Sequence, residues 1–356
     1  MAAPPLPVAN YPGEGADAAA SVTYCVVPSF RAASTVVDVV RRALLYADGV
    51  IVVDDACPEQ SGAMVRAAFA HIPQVEVIER EQNGGVGAAM KSGIEAALQR
   101  GADIIVKLDA DGQMNPAVIP DMRDLLTEYP SVGLVKGNRF FDADVVRSMP
   151  KTRLFGNAAL SLLIKSASGY WNTIDPTNGY LAFNARILEA MRWQEFADTY
   201  FFEMSVLCAF GLKHVPIIEL EMPTIYNDAR SSLSPFRVAL EFPPKLFRAA
   251  LRRLLIQYFI LDINLGSLYC IFGSLLVLSG LGFGIYEFTV TLATHVARTT
   301  GTVMLAVLPI LIGFQLLLNA LMYDVQFSPR THHELRVTTA LRRSLTGKRA
   351  RGGIET

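Results

Sequence analysis

Two aspartates one residue apart, Asp109 and Asp111, follow the hydrophobic run IIV in the stretch DIIVKLDADGQMNP. Like charges this close raise each other's pKa and repel unless something positive lies between them. A metal ion, an arginine or plain solvent could answer that need. Where a strand gives way to a turn, Asp-X-Asp brings both carboxylates to one side of the chain, within reach of a hard divalent cation. Mg²⁺ characteristically takes one or two carboxylates and completes its sphere with water and substrate phosphate. Gln113, two residues on, offers a neutral oxygen. The chemistry of such a site is neutralisation of a diphosphate, and stabilisation of that diphosphate as a leaving group.

The elements that must position these residues alternate. VTYCVVPSF, VIVVDDA, VEVIERE and DIIVKLDADG read as strands; STVVDVVRRALLYA, SGAMVRAAFAHI and GGVGAAMKSGIEAALQRG read as helices. This β-α-β alternation predicts an α/β domain with a largely parallel sheet, whose ligands bind beyond the carboxyl ends of the strands. Polar residues gather there: Pro28-Ser29 after the first strand, Asp54-Asp55 after the second, Asp109-Ala110-Asp111 after the fourth. NGGVGAAMKSG follows the third strand and carries Met90 where a dinucleotide fingerprint has its last small residue, so Gly84, Gly85 and Gly87 read as a tight loop opening a helix. No GxxxxGK[ST] loop is present, which excludes the usual phosphate loop.

The last third is different. Leu265–Tyr286 and Thr299–Tyr323 contain no charged residue, and each reaches the roughly 20 residues needed to cross about 30 Å of hydrocarbon. Lys245, Arg248, Arg252 and Arg253 precede the first run; Arg330, Arg336, Arg342, Arg343, Lys348, Arg349 and Arg351 follow the second; only Glu287 and Arg298 lie between. The positive-inside rule then predicts a multi-pass protein of the inner membrane, with both flanks cytoplasmic. Gln315 and Asn319, four apart on one helical face, are candidates for hydrogen bonds between helices. Upstream, SPFRVALEFPPKLFRAALRRLLIQYFI mixes arginines with apolar residues at helical spacing around Pro243-Pro244, as one or two amphipathic helices lying in the headgroup layer would.

Across 356 residues the formal net charge is -1, which gives no reason to expect nucleic-acid binding. Four scattered cysteines read as reduced thiols in the cytoplasm. The expected organisation is a disordered leader over 1–20, a catalytic domain over 21–235, amphipathic helices over 236–263, a two-helix hairpin over 264–325 and a basic tail over 326–356.

The chain resembles glycosyltransferase family 2, with the GT-A fold, and within it the polyprenyl-phosphate glycosyltransferases such as dolichyl-phosphate mannose synthases. The likeness covers roughly residues 22–235. It rests on VPSF (27–30), VVDDACPEQSG (52–62), NGGVGAAMKSGI (83–94), KLDADGQMNP (107–116), GNRF (137–140), DPTNGY (175–180), FFEMSVL (201–207) and ARSSL (229–233). The resemblance implies a GT-A Rossmann-like, mostly parallel sheet followed by interfacial and transmembrane helices. It implies that Pro28 and Asp54 or Asp55 line the nucleotide pocket, that Asp109, Asp111 and Gln113 hold Mg²⁺ or Mn²⁺, and that Arg139, Arg153 and Arg230 meet phosphate. Asp111, Arg139, Asp175 and Glu203 are the catalytic candidates, the last two as sugar-hydroxyl partners or bases. Ser29-Phe30-Arg31 and Cys57 depart from the usual pattern of the family. The activity implied is inverting transfer of one sugar from a UDP- or GDP-sugar to polyprenyl phosphate at the cytoplasmic membrane face. A hydroxyl lipid or glycan acceptor and a non-catalytic membrane scaffold are the alternatives, and a homo-oligomer is left open.

Overall fold

The computed structural model describes residues 21–140, 151–222 and 235–329. The leader, Arg230 with the rest of ARSSL, and the basic tail from 330 onward lie outside the described residues, as does the side chain of Arg153.

Seven strands form one sheet: β1 (Thr23–Ser29), β2 (Gly49–Asp54), β3 (Val75–Glu79), β4 (Ile104–Lys107), β5 (Leu134–Asn138), β6 (Leu181–Asn184) and β7 (Ile217–Glu221). Their order is β3-β2-β1-β4-β6-β5-β7. The β1–β2, β2–β3, β1–β4 and β5–β7 pairs are parallel, whereas β6 runs against both β4 and β5. The α/β fold expected from the alternation is therefore present, with one reversed strand inserted beside the acidic motif.

Helices α1 (Val36–Ala43), α2 (Ser61–Ala68), α3 (Val86–Gln99), α4 (Ile119–Glu128), α5 (Lys151–Ser168), α6 (Ala185–Glu189) and α7 (Phe202–Leu212) cover the sheet. Alternation along the strands builds two cores. Val26, Ile51, Val53 and Ile105 pack on one face with α3, α5 and α7. Cys25, Val27, Val50, Val52 and Val106 pack on the other with α1, α2 and α4. Burial on both faces is why β1 and β2 read as unbroken apolar runs rather than alternating ones.

Helix α8 (Pro235–Leu255) runs through Pro243 and Pro244 as one helix and passes into a π-helical turn, Ile256–Ile260. Phe242 and Leu246 on one face join the sheet core, while Leu240, Phe247, Leu251 and Leu255 on the other are exposed. Arg253, counted above with the interfacial cations, is instead buried. Lys245, Arg248 and Arg252 remain at the surface.

Helices α9 (Leu265–Thr294) and α10 (Thr300–Gln326) are long and apolar enough to cross a membrane, and only 11% of each apolar window is buried. A core helix of that length would be mostly covered, so these two face outward. They pair closely: a Cβ on Gly313 would stand 2.7 Å from the Gly273 carbonyl oxygen. Gln315 and Asn319 do not bridge the helices; Gln315 Nε2 donates to Asn319 Oδ1 at 3.4 Å along α10, because both side chains lie on the face turned away from the small-residue contact.

Candidate active site

The loops after β1, β2, β3 and β4 hold Arg31, Ala56, Gln60, Gly85 and Gly112 at positive φ. Three of these five are not glycine, and such backbone strain gathers where a site must be shaped. Asp54 and Asp55 shape it. Asp54 accepts from the Cys57 and Gly62 amides, each at 2.6 Å, and from Ser61 Oγ at 3.1 Å, closing the β2–α2 turn. Asp55 accepts from the Gly84 and Gly85 amides at 3.0 and 2.7 Å and pairs with Arg80 at 3.1 Å, fixing the glycine loop that opens α3. Both carboxylates are thus engaged by the protein's own backbone. Pro28, partly exposed, sits beside them in register with Val53. Cys57 Sγ accepts from the Arg31 amide at 3.1 Å. Burial pushes the Cys57 thiol up, but hydrogen bonds from Ser61, Arg31 and Glu59 outweigh it and leave the pKa below its ordinary value.

At the end of β4 the positive partner of the aspartates is a lysine. Lys107 is 1% exposed. Its ammonium donates to Asp109 Oδ1, to Glu203 Oε1 at 3.1 Å and to the Gly179 carbonyl at 3.3 Å, which uses all three of its protons. Burial alone would lower its pKa; the Asp109 and Glu203 carboxylates overcome that and hold it above the ordinary value. None of the three partners weighed from the sequence was this one. The signal was present, since residues i and i+2 of a strand share a face, which sets Lys107 beside Asp109.

One ammonium against the carboxylates of Asp109, Glu203 and Asp111 leaves a formal excess of two negative charges. Asp111 Oδ1 accepts from the Gln113 amide at 3.0 Å. Its pKa is raised, first by desolvation in the loop and then by the nearby Asp109 charge. Among the described residues no group of three or more His, Cys, Asp and Glu side chains converges as a metal cage. The donor set fits a hard cation, which Asp109 and Asp111 would hold with Gln113, leaving substrate oxygens and water to complete its sphere. It does not fit a structural metal.

Asp175 and Arg139 form the second charged centre. Arg139 Nε and Nη2 reach Asp175 Oδ2 and Oδ1 at 2.8 and 3.1 Å, its amide reaches Oδ2 at 3.2 Å, and Nη2 also meets Thr177 Oγ1 at 3.2 Å. Burial acts to raise the Asp175 pKa, but the bidentate guanidinium prevails and holds it below the usual carboxylate range. A carboxylate tied on both oxygens and easily ionised is poorly suited to accept a proton. In this arrangement both carboxylate oxygens of Asp175 are turned to Arg139. Glu203, in the first turn of α7, is likewise the partner of a buried cation.

The segment between these centres is held throughout. Glu219 on β7 accepts from the Ile174 and Asp175 amides at 2.8 and 3.0 Å. Lys136 donates to the Asn178 carbonyl and Lys107 to that of Gly179. Gly179 is needed there: a Cβ would lie 3.0 Å from Lys107 Nζ, 3.3 Å from Glu203 Oε1 and 3.5 Å from Asp109 Oδ2. Lys136 and Glu219 escaped the sequence reading, because β5, β6 and β7 are four or five residues long with little alternation to mark them.

Residues 24–192 match the family model described as Glycosyl transferase family 2. An undecaprenyl-phosphate mannosyltransferase of Micrococcus luteus is 34% identical over 142 residues, 40% of this chain and 57% of that protein. A UDP-N-acetylglucosamine--dolichyl-phosphate N-acetylglucosaminyltransferase of Methanococcus voltae is 28% identical over 222 residues, 58% of this chain and 86% of that one. A polyprenol monophosphomannose synthase of Mycolicibacterium smegmatis is 31% identical over 147 residues, 39% of this chain and 52% of that one. The matches to the Micrococcus and Mycolicibacterium proteins thus span little more than half of each relative. From β1 to the start of the chain's second half, over residues 24–192, the sequence is thus similar to glycosyl transferase family 2.

Proposed function

We propose that the chain is a membrane-anchored glycosyltransferase that moves one sugar, with inversion, from a nucleotide-sugar donor of the UDP or GDP type to polyprenyl phosphate. The observation that carries this reading is the arrangement at the end of β4, where an acidic cluster keeps two uncompensated negative charges beside the ligand-binding edge of a domain similar to family 2. Mg²⁺ or Mn²⁺ bound by Asp109 and Asp111, with Gln113 as a further ligand, would neutralise the donor diphosphate and stabilise the departing nucleoside diphosphate. Pro28 and the turn braced by Asp54 and Asp55 would form the wall of the base pocket. Arg139, oriented by Asp175, would meet phosphate together with Arg153 and Arg230. Glu203, fixed by Lys107, would hold a sugar hydroxyl.

The engagement of both late acids favours a phosphate acceptor over a hydroxyl one. A lipid phosphate is already ionised near neutral pH and attacks the anomeric carbon without giving up a proton, so the site needs positioning and positive charge rather than a base. Asp175 and Glu203 are each committed to a cation, which suits that demand. The long apolar tail of the acceptor would remain in the bilayer. Helices α9 and α10 would span it from the cytoplasmic side, and the exposed apolar face of α8 would lie in the headgroup layer with Lys245, Arg248 and Arg252 against anionic lipid.

The test is transfer of labelled sugar by purified full-length protein in lipid nanodiscs. A panel of nucleotide sugars is offered with undecaprenyl phosphate or with diacylglycerol. Labelled polyprenyl phosphate is the expected product. Glycosylated diacylglycerol with inert undecaprenyl phosphate would overturn the assignment of the acceptor.

A further inference from the structure

The segment that frames the acidic cluster is gripped at its other end by an apolar helix. Residues 169–180 lead from α5 into β6. At their start, Trp171 Nε1 donates to Asp324 Oδ2 at 2.7 Å, the Trp171 amide donates to Ser328 Oγ at 3.1 Å, and Ser328 Oγ donates to the Gly169 carbonyl at 2.9 Å. Asp324 lies in the last turn of α10 and Ser328 just beyond it. The two are four residues apart.

Asp324 is buried and fully used. Arg253 Nη1 and Nη2 reach its Oδ1 and Oδ2 at 2.8 and 2.7 Å, and Tyr258 Oη donates to Oδ1 at 2.7 Å. Arg253 Nη2 also donates to the Ser166 carbonyl of α5 at 2.9 Å. A carboxylate at the end of an apolar helix is costly and tends to mark function. The Arg253 pair and Tyr258 tie Asp324 to α8 and the π-helical turn that follows it. The further bonds go to Trp171 and Gly169, at the head of the very segment whose other end Glu219, Lys136 and Lys107 hold beside Asp109.

We propose that Asp324 and Ser328 are positioning residues: through Trp171 and Gly169 they set where the Asp175–Gly179 segment lies, so the site takes its working geometry only when the apolar hairpin is seated on the domain. This rests on the glycosyltransferase reading for its consequence in rate, and on the hydrogen bonds alone for its consequence in structure.

The experiment uses the full chain in nanodiscs with Trp171→Phe, which keeps an aromatic side chain but removes the indole N–H, and with Ser328→Ala, which removes a hydroxyl and leaves the charges intact. Amide hydrogen exchange of the peptide spanning 174–180 is measured without substrate, and kcat and KM for the nucleotide sugar are measured with undecaprenyl phosphate. The expected result is exchange faster by about tenfold in the double variant. It is accompanied by a fall in kcat of about tenfold, with KM for the donor within about twofold. Unchanged exchange over 174–180 overturns the proposal, and so does faster exchange with unchanged kcat. If the wild type transfers no sugar the transferase reading fails instead, and the exchange of 174–180 alone decides the coupling.

Discussion

Lys107 on β4 and Lys136 on β5 both stand opposite Leu181 of the reversed strand β6, and they donate to the consecutive carbonyls of Gly179 and Asn178. Two buried ammonium groups thus clasp two consecutive peptide units, next to Asp109. Their surroundings push them in opposite directions. Lys107 has two carboxylates in contact and stays charged, whereas Lys136 meets a carbonyl and has its acidic neighbours only at a distance.

Lys136 gives a pH prediction. Burial lowers its pKa to about 8 from the ordinary 10.5, with Asp175 and Glu219 partly opposing the shift. Between those values the unfolded chain binds more protons than the folded one, so stability rises with pH across that window. Below about 8 the folded protein carries the whole cost of the buried charge, on the order of 3 kcal/mol. The stability of the wild type relative to Lys136→Met should therefore climb between pH 8 and 10, as read by paired denaturation curves. A constant difference would mean that Lys136 does not titrate there.

Lys107→Met should behave otherwise. It leaves Asp109 and Glu203 facing each other without their cation, and removing one partner of a buried ion pair costs about 3–5 kcal/mol. The variant should denature well below the wild type at neutral pH. Adding Asp109→Asn and Glu203→Gln should recover much of the loss, though not activity.

These two lysines show what the sequence made legible. The apolar runs of β1, β2 and β4, the glycine loop and the acidic pairs after the strands could all be read, because each is a local pattern with a fixed period. Lys107 lay inside the quoted motif, but buried lysines are rare enough that a metal, an arginine or solvent was the natural choice beside Asp109. Lys136 and Glu219 lie on short strands whose neighbours come from other parts of the chain. Asp324 sits one residue past the uncharged run that marked the second span, and its partner Arg253 is 71 residues away. Such pairings are set by tertiary packing, and nothing in the local pattern announces them.

Asp175→Asn separates positioning from base catalysis. With Asp175 bonded to Arg139 through both oxygens, the variant should lower kcat by about tenfold or more while the shape of the pH–rate profile stays that of the wild type. Loss of the acidic limb of that profile would show that Asp175 takes a proton. Arg139→Lys should fail to substitute, since an ammonium cannot make the paired contacts of a guanidinium.

The most direct measurement is Mn²⁺ binding to the full-length protein by electron paramagnetic resonance, with and without a nucleoside diphosphate. Wild-type protein should bind Mn²⁺ more tightly when the diphosphate is present, and Asp111→Ala, folded by thermal melt, should lose that binding along with sugar transfer. If Asp111→Ala binds Mn²⁺ as the wild type does, or transfers sugar at the same rate, the acidic cluster at the end of β4 is not the centre of the reaction.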